Sequence, residues 1–180
     1  MQECYQTKKE IFAMGIFSQR THRISVGKMK LEEAKSTEMD DVVRKSRKRP
    51  LISIVTVCFN GMPFIEQCIN SVIGQDFCDF EYVIIDGDST DGTAEVIKKY
   101  QENLSYWHSK PDRGLAHAFN LGVENAKGEW ILFLNSDDYF EAHSVLSDMA
   151  PYLKQSHDKD VVFGKIIMVS RDMTPIPISR

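Results

Sequence analysis

The chain changes character near residue 50, where a regular hydrophobic pattern begins. From Leu51 to Phe59 an almost unbroken run of apolar and β-branched residues predicts a strand covered on both faces. Asn60-Gly61 ends the run, and Pro63 suits the first turn of a helix. Further strands are predicted at about 80–85, 104–108, 130–134 and 160–169, with helices between most of them.

Apolar residues at helical spacing predict the buried faces of two of these helices. The first set is Phe64, Ile65, Cys68, Ile69, Val72 and Ile73, and the second is Leu115, Ala118, Phe119, Gly122, Val123 and Ala126. Alternating strands and helices predict an α/β fold with a mostly parallel sheet flanked by helices. Such sheets bind ligands at the carboxyl ends of their strands, so we expect the polar segments after the strands to share one rim.

Residues 1–49 lack this regularity. They are polar, and we interpret them as a partly disordered or partly helical extension that precedes a domain at 50–180. The extension closes with a run of basic residues: Arg44, Lys45, Arg47, Lys48 and Arg49. Contact of this run with anionic lipid or RNA is the less favoured alternative.

Composition excludes several classes of protein. The net charge of -4 and the pI of about 5.7 do not suit a nucleic-acid-binding domain, so no nucleic acid partner is predicted. No apolar stretch approaches the roughly 20 residues that span a bilayer, so we expect a cytoplasmic protein. Peripheral association with the inner face of the membrane stays open. Cys58 and Cys68 lie in apolar patterns and are predicted to be buried, reduced thiols.

Two acidic segments are the strongest candidates for chemistry. Asp86, Asp88 and Asp91 follow a predicted strand, where a carboxylate can accept hydrogen bonds from a base or a ribose. A turn that caps the next helix explains the same residues, and both roles can coexist. Asp137 and Asp138 follow another strand, where they either bind Mg²⁺ or Mn²⁺ together with a diphosphate or form a solvated turn.

A third candidate segment is Pro111-Asp112-Arg113-Gly114, with Asn120 on the helix that follows. Arg113 is positioned to contact a phosphate or to pair with a neighbouring acid. An exposed loop arginine is the alternative interpretation. His117 is interpreted as an exposed residue of that helix, and His108 as structural.

These segments resemble the family 2 glycosyltransferases with the Rossmann-like GT-A fold, of the type that builds bacterial surface polysaccharides. The resemblance covers about Leu51 to Val169 and is carried by three pieces in order. They are SIVTVCFNG, YVIIDGDSTDGTAEVI and SKPDRGLAHAFNLGVENAKGEWILFLNSDD.

The resemblance implies a role for each matching residue. Val57 and Phe59 would hold the nucleotide base. Asp86 would accept a hydrogen bond from the base, with Asp88 beside it. Asn135-Ser136-Asp137 occupies the place of the D-x-D motif, where Asp137 would coordinate Mn²⁺ or Mg²⁺ with support from Asp138. Asn135 departs from the usual first Asp and could still bind a ribose hydroxyl. Phe119 stands where many relatives carry Arg, which leaves Arg113 for the donor phosphates.

The implied reaction is metal-assisted, inverting transfer of a sugar from a nucleoside diphosphate (UDP, GDP or dTDP) to an acceptor hydroxyl on a saccharide or lipid-linked molecule. In relatives the general base is an acid in the acceptor half. About forty residues follow Asp138 here, so we expect an incomplete acceptor half and a base beyond Arg180.

Three alternatives use the same residues. Asp86-x-Asp88-x-Thr90 also fits the first motif of haloacid-dehalogenase-like, Mg-dependent phosphatases, although a strand and a helix precede it here. A calcium-binding loop fits poorly, because its sixth position is Asp91 and its twelfth is Ile97. A non-catalytic nucleotide-binding remnant is the third alternative.

Overall fold

A computed structural model of the chain describes residues 15–18, 49–156, 158–164 and 167. Its six strands are β1 Gly15–Ser18, β2 Ile52–Cys58, β3 Phe80–Asp86, β4 Tyr106–Ser109, β5 Trp130–Phe133 and β6 Val161–Phe163. The helices are α1 Ile65–Ile73, α2 Thr93–Lys99, α3 Leu115–Asn125 and α4 Val145–Gln155, with a short 3₁₀ turn at Gln101–Asn103.

One six-stranded sheet organises the fold, in the order β4-β3-β2-β5-β1-β6. β2 pairs in parallel with β3 and β5, and β3 pairs in parallel with β4. β1 is antiparallel to both of its neighbours, β5 and β6. The predicted α/β fold with a mostly parallel sheet is therefore confirmed. The strand at Gly15–Ser18 falls inside the segment predicted to be an extension, whose other residues up to 48 lie outside the described residues.

The two faces of the sheet are covered by different helices. Residues at alternate positions of a strand point to opposite faces, so each strand supplies both cores. Ile54, Tyr82 and Ile84 pack in the larger core with residues of α1, α2 and α4. Val55, Val83 and Ile85 form the smaller core with Ala118 of α3. Burial on both faces explains why β2 is apolar along nearly its whole length.

Three predicted core residues are exposed instead: Phe64, Leu115 and Val123. The cause on α3 is its close approach to the sheet. A Cβ on Gly122 would lie 2.3 Å from Val55 Cγ1, so only small side chains fit between α3 and β2. Ala118 and Gly122 occupy that contact, while Val123 turns outward and Leu115 lies at the open end of the helix beside the strand ends.

Other predicted features match the structure with shifted bounds. Cys58 and Cys68 are buried, as predicted. The strand predicted at 104–108 is β4, which begins two residues later because the 3₁₀ turn precedes it. The segment predicted as a last strand contains β6, and 165–166 and 168–169 lie outside the described residues. In the described part of the chain, no helix combines the length and the apolar character needed to cross a bilayer.

The contact between α3 and β2 predicts a coupled pair of substitutions. Gly122→Ala should lower the free energy of unfolding by about 1–3 kcal/mol because of overpacking against Val55, despite alanine's better helix propensity. In a chain that already carries Val55→Ala, Gly122→Ala should lower the free energy of unfolding much less, because the methyl group that it would meet is gone. Urea unfolding of both single variants and the double variant measures the coupling.

Val123→Ala is the matched control on the same helix, because Val123 is exposed. It should change the free energy of unfolding by no more than about 0.5 kcal/mol. Strictly additive effects of Gly122→Ala and Val55→Ala would show that the helix does not depend on this contact.

Candidate nucleotide-binding cleft

A cleft of about 570 Å³ opens at the carboxyl ends of the parallel strands. Its floor and walls come from the ends of β2, β3 and β5, from the loop before α3 and from the first turns of α3. The lining residues are Val57, Cys58, Phe59, Gly87, Asp112, Gly114, Leu115, Ala118, Phe119, Asn135, Ser136 and Asp137. The cleft therefore lies at the edge of the sheet that the strand pattern predicted as the ligand-binding rim.

The cleft brings together four of the predicted site residues: Val57, Phe59, Asn135 and Asp137. Phe59 is 66% exposed, which leaves a large apolar surface available to a ligand. Phe119 lines the same cleft and packs edge-to-face on Phe133, with 4.7 Å between the ring centroids. The remaining predicted residues lie around this cleft and do not form its wall: Asp86, Asp88, Arg113 and Asp138.

Asp86 is completely buried and its carboxylate is surrounded by donors. Oδ1 accepts from the Ser89 hydroxyl and from the Cys58 thiol at 3.4 Å. Oδ2 accepts from the Ser89 backbone N–H at 3.1 Å and from the Ser109 hydroxyl at 2.5 Å. Asp86 shares a strand face with Ile84, which belongs to the core on the side away from α3. The carboxylate therefore ties together the ends of β2, β3 and β4.

The Cys58 thiol shows the electrostatic effect of this arrangement. Burial raises its pKa far above the ordinary range, and the negative charge of Asp86 adds to the shift. Cys58 is therefore a neutral hydrogen-bond donor to Asp86, and its side of the cleft floor carries no thiolate.

The turn after β2 is hydrogen-bonded to the acidic loop after β3. Asn60 Oδ1 accepts from the Thr90 backbone N–H at 3.0 Å, and the Asn60 N–H donates to Ser89 Oγ at 2.8 Å. Asn60 adopts a positive φ of 53°, which asparagine tolerates better than most residues. These bonds fix the turn beside the exposed ring of Phe59.

Asp91 extends the same connection. Its Oδ2 accepts from the Met62 N–H at 3.0 Å, and its Oδ1 accepts from the hydroxyl and N–H of Thr93, the first residue of α2. The hydrogen bond from the Thr93 hydroxyl is the main cause that lowers the pKa of Asp91. Asp88 lies on the same loop, exposed and with a positive φ of 71°. Asp91 therefore stabilises the loop, and Asp88 faces solvent.

The acidic turn after β5 lies at the other end of the cleft. The Asn135 side-chain amide donates to Asp138 Oδ2 at 3.2 Å, and the Asp138 N–H donates to the Asn135 carbonyl at 3.0 Å. Partial burial raises the pKa of Asp138, and the negative charge of Asp137 raises it further. Two neighbouring carboxylates thus accumulate negative charge where one of them, Asp137, meets the cleft.

The donor set at this turn suits a hard divalent cation only if a ligand completes the coordination. The described residues contain no cluster of three or more His, Cys, Asp or Glu side chains able to hold an ion by themselves. One or two carboxylates suffice for Mg²⁺ or Mn²⁺ when phosphate oxygens and waters supply the remaining positions. Asp137, with Asp138 beside it, fits that arrangement.

The loop before α3 places Asp112 in the cleft and Arg113 outside it. Asp112 Oδ1 accepts from the Gly114 N–H at 2.6 Å, and Gly114 takes a positive φ of 98° that lets the chain enter α3. The Arg113 backbone N–H donates to His117 Nδ1 at 3.2 Å, and the residue is exposed. Arg113 was predicted to contact the donor phosphates, whereas Asp112, which was given no role, is the residue of this loop that lines the cleft.

The alternation along β2 and β3 gives a signal for Gly87 but none for Asp112. Val55, Val57 and Phe59 alternate along β2, as Val83, Ile85 and Gly87 do along β3, so both odd-numbered sets share the α3 face. Gly87 therefore adjoins the cleft and has no side chain to fill it, whereas Asp86 points to the opposite face. Asp112, on the loop before α3, is the residue that covers Gly87.

Comparison with known proteins places this cleft in a defined class. The sequence model for Glycosyl transferase family 2 matches residues 53–180. The chain therefore belongs to glycosyl transferase family 2, an enzyme family, which confirms the predicted family and does not favour the phosphatase alternative.

Two relatives illustrate the similarity. A PGL/p-HBAD biosynthesis glycosyltransferase of Mycobacterium bovis (strain BCG / Pasteur 1173P2) is 34% identical over 124 residues, which are 67% of this chain and 48% of the relative. Chondroitin synthase of Pasteurella multocida (strain Pm70) is 35% identical over 128 residues, 70% of this chain and 13% of the relative. The chain spans about half the length of the mycobacterial relative.

Solved structures confirm the predicted GT-A fold. TarS residues 1–349 of S. aureus in complex with UDP-GlcNAc superposes with a TM-score of 0.53 at 31% identity, covering 59% of this chain and 32% of TarS 1–349. The mannosyltransferase PcManGT of Pyrobaculum calidifontis, in complex with GDP-Man and Mn²⁺, gives a TM-score of 0.53 at 27% identity, covering 59% and 33%.

The raised pKa of Asp138 predicts how stability depends on pH. A carboxyl whose pKa is raised by folding destabilises the folded chain above that pKa, and the penalty disappears as the pH falls below the unfolded value near ~4. Asp138→Asn should therefore raise the melting temperature of the metal-free protein at pH 7, and the gain should shrink towards pH 4. Solvent still reaches much of the Asp138 side chain, so the effect should be small.

Thermal unfolding at several pH values in the presence of a chelator measures this difference. Asp76→Asn, which removes an exposed carboxylate from another loop, is the charge-matched control. A gain that stays constant with pH, or a lower melting temperature for Asp138→Asn at pH 7, would contradict the prediction.

Proposed function

We propose that this chain binds the donor of a glycosyltransferase that moves a sugar from a nucleoside diphosphate to an acceptor hydroxyl with inversion, assisted by Mn²⁺ or Mg²⁺. The observation that carries the proposal is a single cleft that joins the exposed ring of Phe59 to the acidic turn at Asp137. A flat apolar ring suits a base, and carboxylates suit a cation that bridges to a diphosphate.

The donor's nucleoside would lie on the side of the cleft formed by the ends of β2 and β3, away from the acidic turn after β5. Phe59 would stack on the base, and the backbone of Val57 would contact its edge. Asn135, which lines the cleft beside the acidic turn, would donate to or accept from a ribose hydroxyl. The contacts of Asp86 and Asp88 with the base, and of Arg113 with the phosphates, stay predictions. Asp86 supports the cleft in any case, because its oxygens accept from Ser89 and Ser109.

The acidic turn is proposed to hold the cation. Asp137 would coordinate it from the cleft wall, and Asp138 would add charge while Asn135 keeps its carboxylate in place. A bound Mn²⁺ or Mg²⁺ supplies Lewis-acid stabilisation of the negative charge that develops on the leaving diphosphate. PcManGT carries Mn²⁺ together with GDP-Man, which supports a divalent ion at the corresponding site.

The acceptor follows from chemistry and from the relatives. Inverting transfer needs a hydroxyl opposite the leaving group and a general base to take its proton. A PGL/p-HBAD biosynthesis glycosyltransferase and a chondroitin synthase are among the relatives, so we propose a saccharide or lipid-linked acceptor in cell-surface polysaccharide or glycolipid synthesis. Work on such acceptors would place the protein in the cytoplasm at the inner face of the membrane.

Metal-dependent donor binding tests the proposal. Titration calorimetry of UDP, GDP and dTDP should show one of them binding in Mn²⁺ and losing about tenfold or more in affinity when the metal is removed. Asp137→Ala should weaken binding in Mn²⁺ to a similar extent, because the nucleotide loses the bridge to its phosphates. Glu124→Ala, which removes an exposed acid at the far end of α3, is the matched control.

Equal binding by the Asp137→Ala variant and the unaltered chain would contradict the proposed metal site. Binding of a nucleotide without hydrolysis or transfer of the sugar from any nucleoside-diphosphate sugar would favour the non-catalytic alternative.

A further inference from the structure

Gly87 forms the floor of a narrow gap at the β3 end of the cleft. A Cβ on Gly87 would lie 3.0 Å from Asp112 Oδ2 and 3.4 Å from Phe59 Cδ2. The carboxylate and the ring therefore both border the space directly above Gly87. All three residues line the cleft, so the gap is part of the ligand space.

Asp112 presents one oxygen to this gap in a fixed orientation. Oδ1 is held by the Gly114 N–H at 2.6 Å. Within the part of the chain that the structure describes, Oδ2 receives no hydrogen bond. Burial lowers the pKa of the nearby His108, with Lys110 as the next cause, so His108 is neutral at pH 7. Asp112 Oδ2 is thus an acceptor that remains available to a donor on a ligand in the cleft.

The position of the gap identifies the part of the donor that reaches it. The sheet order β4-β3-β2-β5 puts the ends of β3 and β5 two strands apart, about 10 Å at a spacing of ~4.8 Å per strand. Asp137 at the β5 end takes the diphosphate in the proposed function. The opposite end, between Phe59 and Asp112, is therefore where the base lies.

Asp86 is poorly placed to read the base from this gap. Each of its two oxygens accepts two hydrogen bonds from protein donors. Its side chain points to the face of the sheet away from α3. A base that stacks on Phe59 would meet the free oxygen of Asp112 first. The polar edge of the base needs a donor at that point, which a ring N–H supplies.

We propose that Asp112 is the specificity residue for the nucleotide base and accepts the ring N–H of a uracil, thymine or guanine lying on Phe59. Cytosine is disfavoured, because its ring N3 is an acceptor and faces a carboxylate. This inference rests on the proposed function, since it needs a nucleotide in the cleft.

The Asp112→Asn variant tests the proposal, because the amide keeps an oxygen for Gly114 and turns an N–H₂ donor towards the gap. Calorimetry in Mn²⁺ compares UDP, GDP and CDP. We expect the unaltered chain to prefer UDP or GDP over CDP, and the variant to reduce that preference on the order of ten- to a hundredfold. Glu95→Gln, an exposed change of equal charge on α2, should leave the preference unchanged.

A modified nucleotide tests the same contact without altering the protein. If the preferred base is uracil or thymine, N3-methyl-UDP lacks the ring N–H and should bind the unaltered chain about tenfold or more weakly than UDP. The Asp112→Asn variant should not distinguish the two. If the base is guanine, N1-methyl-GDP against GDP is the equivalent pair.

The outcomes separate this inference from the proposed function. Metal-dependent nucleotide binding with an unchanged base preference in Asp112→Asn overturns the role of Asp112 and leaves the proposed function standing. The role of Asp112 is also overturned if Asp112→Asn weakens the binding of UDP, GDP and CDP equally. It is overturned as well if the N-methyl nucleotide still binds more weakly than its parent in the variant. Failure of the unaltered chain to bind any nucleotide in Mn²⁺ overturns both.

Discussion

The cleft depends on a buried carboxylate that joins the ends of three parallel strands. Asp86 accepts from the end of β2 through Cys58, from its own loop through Ser89 and from the end of β4 through Ser109. A buried charge is costly unless donors surround it, and here four donors do so. These hydrogen bonds hold the ends of β2, β3 and β4 in place without a ligand, which limits the conformational entropy that binding has to overcome.

The acidic loops around the cleft differ in how well their carboxylates are stabilised, and this difference separates supporting residues from the proposed cation site. Around Asp91 the negative charge is compensated by hydrogen bonds from the turn after β2 and from α2, and the pKa of Asp91 is lowered. At the turn after β5 the charges of Asp137 and Asp138 reinforce each other, and the pKa of Asp138 is raised. Stabilised carboxylates support the scaffold, whereas the poorly stabilised pair is where a cation lowers the energy most.

The sequence predicts the central strands well because burial on both faces requires a distinctive composition. β2, β3 and β5 are apolar nearly throughout, so their positions follow from the pattern. β1 is only four residues long, and the short apolar stretch at 11–17 shows no strand alternation that would indicate it. Leu115 and Val123 follow helical spacing, but the spacing cannot show that Gly122 brings the helix too close to the sheet for larger side chains.

The sequence predicts the edge of the sheet at which the site lies, but it predicts less well which side chains enter the cleft. Strand ends identify Asp86 and Asp137 as neighbours of the cleft, because ligands lie at the carboxyl edge of a parallel sheet. Which face a strand-end residue uses depends on the alternation along the whole strand, and this separates Asp86 from Gly87. Asp112 approaches from a loop whose path the hydrophobic pattern does not describe.

The exposed ring of Phe59 has a thermodynamic consequence. An aromatic side chain that is 66% exposed keeps ordered water on its surface, and a ligand that covers it releases that water. Association at this end of the cleft should therefore be accompanied by a negative change in heat capacity, so its enthalpy becomes more favourable as the temperature rises.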